Sequence, residues 1–188
     1  MRILSYALFL GGLTLLLPLP RVLAGEFKLE PGFKLLFNGK NLDGWRQKSD
    51  KAPLEGKAEA YKGRIKVEDG ALVYVYKDKL KGNVYIETTT EFAKDAHFKF
   101  DFKAGPACNN DILFRGTKFD IVPEKAETKD VKEGEWYTYE LIAAGDKIEH
   151  KINGKTVRAA KNAKAAPSTF VLRAEFGVIE IKNIRVKE

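Results

Sequence analysis

The sequence predicts an all-β domain, a sandwich or barrel of antiparallel sheets, and three observations carry the prediction. Apolar and polar residues alternate with period two along most segments after residue 30. Asn-Gly and Asp-Gly pairs, which tolerate positive φ, punctuate those segments. Beyond the first 24 residues no segment carries an apolar stripe at helical spacing. Many short strands joined by turns indicate a sandwich or barrel, and alternation on nearly every strand gives each sheet one core face and one wet face.

The elements follow in chain order. "LFNGKNLDGW" (36–45) places turns at Asn38-Gly39 and Asp43-Gly44, with Leu42 and Trp45 as apolar anchors for a tightly folded loop. "IKVEDGALVYVY" reads as strand, Asp69-Gly70 turn and strand. "HFKFDFK" (97–103) sets Phe98, Phe100 and Phe102 against Lys99, Asp101 and Lys103, a half-buried strand. "DILFRGTKFDIV", "EWYTYELI", "STFVLRAEF" and "VIEIKNIRV" read as further strands. "KIEHKINGKTV" is a hairpin closed at Asn153-Gly154, and "KNAKAAPS" (161–168), ended by Pro167, reads as a loop. There is no internal repeat, so residues 25–188 are expected to form a single domain.

Residues 1–24 read as a signal peptide. A positive start at Arg2 precedes an apolar run, and "PLPRVLA" fits cleavage after Ala24. The run is shorter than the ~20 residues a span needs, so the expectation is export to the periplasm or beyond, without a stable membrane span after cleavage. Removing Arg2 and Arg21 lowers the net charge from +7 to +5. The lysines alternate along strands instead of clustering, which argues against a nucleic-acid partner. Cys108 is alone and lacks a nearby His partner in sequence, so it reads as a semi-buried bystander.

Parity selects candidate site residues. If Ile112, Phe114, Phe119, Ile121, Leu172 and Ala174 face the core, then Arg115, Asp120, Arg173 and Glu175 face away from it. Leu141 inward puts Trp136, Thr138 and Glu140 outward. These residues are candidates for one polar sheet face with Trp136 as an aromatic platform, and the same pattern also describes a solvated outer face. His97 and His150 have no paired ligand spacing, and His150 falls on core parity, so a structural role is expected and no metal site is assigned. Asp111, Asp120 and Glu124 could hold a hard divalent cation by oxygen, but their spacing does not require one.

Taken in order, "LFNGKNLDGW", "KVEDGALV", "VYIETTTEFAKDAHFKFDFKAG", "NNDILFRG" with "FDIV", "GEWYTYELIAAGDKIEHKINGKTV" and "FGVIEIKNIRVKE" resemble the 3-keto-disaccharide hydrolase-like domain family over residues 33–188. The resemblance implies a jelly-roll sandwich of the concanavalin-like lectin and glucanase type, with a sugar-binding trough on one sheet. It also implies a chemistry: 3-keto-glucoside 1,2-lyase and 3-keto-2-hydroxy-glucal hydratase steps. A base removes the acidified C2 proton of a 3-keto-glycoside, the C1 group leaves, and water adds to the product. By position, Asp120 matches the family's acid, Arg115 the Arg of its central turn, and Glu175 its late Glu, while Trp136, Glu140, Arg173, Asn110 and Asp111 are the expected substrate-binding residues. The departures are Val122 and Arg173 where the family has Gln, Asp111-Ile112 for Ser-Gly, Tyr137 for an Asn, Phe176 for a Gly, and a loop shortened to "PEKAETKDVKE". The expected function is cleavage of glycosidic bonds in keto-sugars or related glycosides. The alternatives are a non-catalytic lectin-like module gripping sugar through Trp136, Arg115 and Arg173, and a scaffold meeting acidic polymers.

Overall fold

The computed structural model describes residues 27–76, 82–93, 95–161, 163 and 167–188; the signal-peptide reading lies outside them. Among the described residues, fourteen strands form two antiparallel sheets. They are β1 Lys34–Leu35, β2 Trp45–Gln47, β3 Glu59–Ala60, β4 Ile65–Glu68, β5 Ala71–Val75, β6 Val84–Thr88 and β7 Ala96–Ala104. The remainder are β8 Asn109–Phe114, β9 Thr117–Ile121, β10 Trp136–Ala144, β11 Lys147–Ile152, β12 Lys155–Ala160, β13 Val171–Phe176 and β14 Val178–Lys187. The larger sheet runs β12-β11-β10-β7-β14-β5-β4-β3 with β1 also on β14, and the smaller runs β2-β6-β13-β8-β9. A single 3₁₀ turn, Ala126–Thr128, interrupts the loop before β10.

The alternation reads through to packing. In β7 Phe98, Phe100 and Phe102 are fully buried while His97, Lys99, Asp101 and Lys103 between them are partly exposed. Those rings meet the smaller sheet across the core: Phe98 lies 4.8 Å from Phe114 and 4.5 Å, stacked, from Phe170, and Tyr139 lies 5.2 Å from Phe119. Aromatic pairs at these separations add about 0.5–1.5 kcal/mol each beyond their buried area.

The double turn near the start behaves as its composition requires. Asn38 Oδ1 accepts from the backbone N–H of Lys40 and Asn41 at 2.8 and 3.0 Å, and Gly39 takes the left-handed conformation at φ +74°. Asp43 Oδ1 accepts from Gly56 N at 2.6 Å, which ties the second turn to a neighbouring loop. Leu42 and Trp45 are fully buried, and Trp45 Nε1 donates to Leu36 O at 2.7 Å. His150 is likewise a core residue: its Nδ1 lies 2.6 Å from the Tyr139 hydroxyl and its Nε2 3.3 Å from Arg158. Burial, and then the Arg158 charge, pull its pKa down to about 3, so it is neutral.

Candidate functional site

The outer face of the smaller sheet carries a row of polar side chains one residue deep. Register puts Tyr85 of β6 opposite Arg173 of β13, Arg173 opposite Asp111 of β8, and Asp111 opposite Asp120 of β9. Directly opposed side chains in antiparallel strands lie about 5 Å apart, so the four form one continuous line.

Asp111 is the unusual member, because it faces away from the core and is still only 1% exposed. Arg173 covers it, with Nε on Asp111 Oδ2 and Nη2 on Glu175 Oε2. On the other side Lys118 Nζ sits 2.5 Å from Asp120 Oδ1 and 3.8 Å from Asp111 Oδ1. Burial, and then the neighbouring Asp120 carboxylate, push the Asp111 carboxyl far above the ordinary carboxylate range, against the pull of Arg173 and Lys118. The adjacent Asp111 carboxyl, and then Lys118, hold Asp120 below its ordinary value. The pair therefore carries one proton on the buried member and one charge on Asp120, whose side chain is 40% exposed. Two carboxyl groups with separated affinities are the arrangement that general acid–base chemistry needs.

A second charged cluster lies two residues along β6. Glu87 is 1% exposed and receives Arg46 Nε at 2.8 Å, Lys51 Nζ at 2.5 Å, Lys48 Nζ at 3.4 Å and the Thr169 hydroxyl at 3.0 Å. Burial works against its charge, but Lys51 and Arg46 outweigh it and lower its pKa to about 2. On the side of the row away from Glu87 a groove of about 660 Å³ opens between Asn109, Val122, Glu124, Glu133 and Phe176. Phe176 is 45% exposed and packs its ring 4.5 Å from Tyr76, which leaves an aromatic surface at the groove. Cys108 also lines it, with its Sγ bonded to Ile121 O at 3.4 Å and burial raising its pKa to about 11, so it is an inert thiol.

The sequence-derived candidates divide. Asp111, Asp120, Arg173 and Glu175 come together on this face. Trp136 and Glu140 do not: both point outward from β10, which belongs to the other sheet. Glu140 there pairs with His97 at 2.8 Å and Lys99 at 3.8 Å. Parity tells which side of its own sheet a residue takes but not which sheet it joins, and that is why one face was expected where two exist. Arg115 leaves the face altogether. It sits in the β8–β9 turn at φ +46°, 4% exposed, with Nη1 donating to Gly145 O at 3.1 Å. Asn110 cannot share a face with Asp111, since neighbours along a strand alternate. It points inward, where Nδ2 donates to Phe176 O at 3.0 Å and Oδ1 accepts from Glu175 N at 3.0 Å, fixing the bulge in β13.

Tyr85, Glu87, Lys118 and Phe176 were missed. Alternation in "VYIET" could have flagged the first two, and Lys118 precedes Asp120 by two residues. A divalent cation finds no place between the two aspartates, because the Lys118 ammonium already lies between them. Among the described residues no three His, Cys, Asp or Glu side chains converge as a metal site.

Comparison with known folds and families agrees with this architecture. A protein from Parabacteroides distasonis assigned as a glycosyl hydrolase is 17% identical, with a TM-score of 0.65 over 83% of this chain and 93% of its own. A second such protein from that organism gives 0.62 at 19% identity, covering 83% and 98%. The carbohydrate binding module CBM66 from Bacillus subtilis gives 0.56 at 11% identity, covering 82% and 100%. At these identities the likeness establishes the jelly-roll fold. No curated protein matches the chain in sequence. Residues 32–187 match a family as a whole, and the chain belongs to the 3-keto-alpha-glucoside-1,2-lyase-like domain family.

Proposed function

We propose that this protein cleaves the glycosidic bond of 3-keto-glycosides or closely related sugars by acid–base chemistry at the Asp111–Asp120 pair. The observation that carries the reading is a buried carboxyl, Asp111, set directly opposite the solvent-facing Asp120 on the outer face of a jelly-roll sheet, with the Lys118 ammonium 2.5 Å from Asp120 and 3.8 Å from Asp111. Asp120 is the group that reaches substrate. Its carboxylate takes the C2 proton, and the electron pair moves into the C2–C3 bond and onto the C3 oxygen. The Lys118 ammonium, 2.5 Å from Asp120, is placed to stabilise that oxygen. The pair returns as the C1–C2 double bond forms and the C1–O bond breaks, and Asp120 delivers its proton to the departing oxygen. Water then adds across C1–C2, so the net reaction is hydrolysis. Asp111 does not touch substrate; it is a positioning residue that sets the basicity of Asp120, and Arg173 holds it in place.

A proton NMR time course with a 3-keto-glycoside tests the reading. Wild-type protein is expected to consume the C2 proton signal and release the C1 group, and Asp120→Asn to stop this while keeping its fold. An active Asp120→Asn variant would overturn the assignment. The short segment of residues 122–135 supports a second reading, because it leaves the groove open where a longer loop would enclose a substrate. A lectin-like module would then broaden sugar resonances without forming product.

A further inference from the structure

The outer face of the larger sheet holds a second arrangement that the acid–base site does not use. Trp136 opens β10 with its indole 39% exposed. Lys182 Nζ lies 4.0 Å and Lys103 Nζ 5.1 Å from its ring centroid. Lys103 is shared with Glu180 at 2.8 Å, whereas Lys182 directs its ammonium at the indole. One exposed tryptophan on a strand requires no function. What distinguishes this one is the fixed polar group beside it. Asp101 accepts from the Thr138 hydroxyl at 2.9 Å and from Asn183 Nδ2 at 2.6 Å, so both its oxygens are oriented before any ligand arrives. Asn183 stands at the bulge of β14 with φ +56°, a device that re-aims a side chain out of the regular pleat. Trp136, Asp101, Lys182 and Asn183, with Phe27 and Asn153, line a groove of about 500 Å³.

An aromatic ring offers a stacking surface to the C–H face of a pyranose, and oriented carboxylate and amide groups bond its hydroxyls. Glu180 neutralises Lys103, so Lys182 is the ammonium that bonds a negative substituent, and in doing so it leaves the indole face to the sugar. We propose that this face is a second carbohydrate-binding surface, on the opposite side of the sandwich from the Asp111–Asp120 pair, and that it takes glycans built of carboxylate-bearing sugars. The inference draws on the carbohydrate chemistry of the family and not on the acid–base assignment, so either can fail alone.

Tryptophan fluorescence isolates this site. The sequence has two tryptophans, and Trp45 is fully buried, so Trp136 is the indole that acrylamide reaches. The full-chain protein is titrated with acrylamide in the presence of hexagalacturonate or maltohexaose at matched ionic strength. Hexagalacturonate is expected to shield Trp136 and maltohexaose to shield it far less, with Asp111→Asn behaving as wild type. In electrophoresis through gels containing polygalacturonate, Trp136→Ala should bind at least about fivefold more weakly, the loss of one stacking contact, while Trp136→Phe retains retardation. Absence of shielding, equal shielding by maltohexaose, or undiminished retardation of Trp136→Ala would overturn the proposal. Loss of shielding in Asp111→Asn would overturn the separation of the two sites.

Discussion

The outer faces of the two sheets are both lined with charged side chains, yet they hold them in different surroundings. On the smaller sheet Asp111 and Glu87 are 1% exposed although neither points into the core. Neighbouring long side chains, Arg173 over one and Arg46 with Lys51 over the other, remove them from water. On the larger sheet the Lys103–Glu180 pair keeps 28% and 31% of its side chains exposed, and Lys151–Glu149 is similar. An exception is Arg185, 4% exposed on that face: Glu30, its side chain still 37% exposed, accepts from it at 2.6 and 2.8 Å, and those bonds lower the Glu30 pKa to about 2. Outward direction and solvent exposure are therefore separate properties. A charge displaced from water must be paired or neutralised, and its proton affinity moves; a solvated one has neither constraint.

Stability measurements can break this comparison. The largest effect is expected for Glu87→Gln, which leaves three cations around an uncharged amide. Urea denaturation at neutral pH should show a loss of about 2–3 kcal/mol, below the full cost of breaking a buried pair because Lys48 and Lys51 retain access to water.

Next come two opposite pH slopes on the one face. Glu87 titrates near 2 when folded and near 4.5 when unfolded, so its contribution is complete above pH 4.5 and is lost as pH falls toward 2. Asp111 has the reverse sign. Its folded pKa of about 8 exceeds its unfolded value near 3.8, so the folded protein binds the extra proton and stability declines as pH rises between those values. Denaturation midpoints across pH 4–9 should show that decline in the wild type, and Asp111→Asn, which keeps the shape without the titration, should flatten it. An unaltered slope in the variant would place the decline elsewhere.

The smaller effects sharpen the contrast. Trp136→Ala should change stability within about 0.5 kcal/mol, as expected for a half-exposed surface site. Glu180→Gln, breaking a solvated pair, should shift urea stability by less than about 1 kcal/mol and lose even that in high salt.

Much of this was legible in the sequence, and the limit has a physical form. Period-two alternation fixes the core face of each strand, so Phe98, Phe100, Phe102, Ile112, Phe119 and Leu172 were identified as interior from residue type alone. Turn chemistry located the hairpins at Asp69-Gly70 and Asn153-Gly154, each pair with positive φ. Alternation carries no information on which sheet a strand joins. That choice is made by contacts distant in sequence, and it separated Trp136 and Glu140 from Asp120. Arg115 escaped for a different reason: as the first residue of a tight turn it no longer follows strand parity, and its positive φ directs it to Gly145. Burial of Asp111 was illegible as well, since the side chains of Arg173 and Lys118 produce it by folding over the sheet from neighbouring strands.

Carbon-13 NMR titration of the aspartate side-chain carboxyls tests the central claim most directly, since the site rests on one proton held unequally by two groups. The Asp111–Asp120 pair is expected to titrate in two widely separated steps, the lower below the ordinary aspartate range and the upper near pH 8, with Asp120→Asn removing the lower step. Two overlapping steps near pH 4 would show a pair of ordinary surface carboxylates and would contradict it.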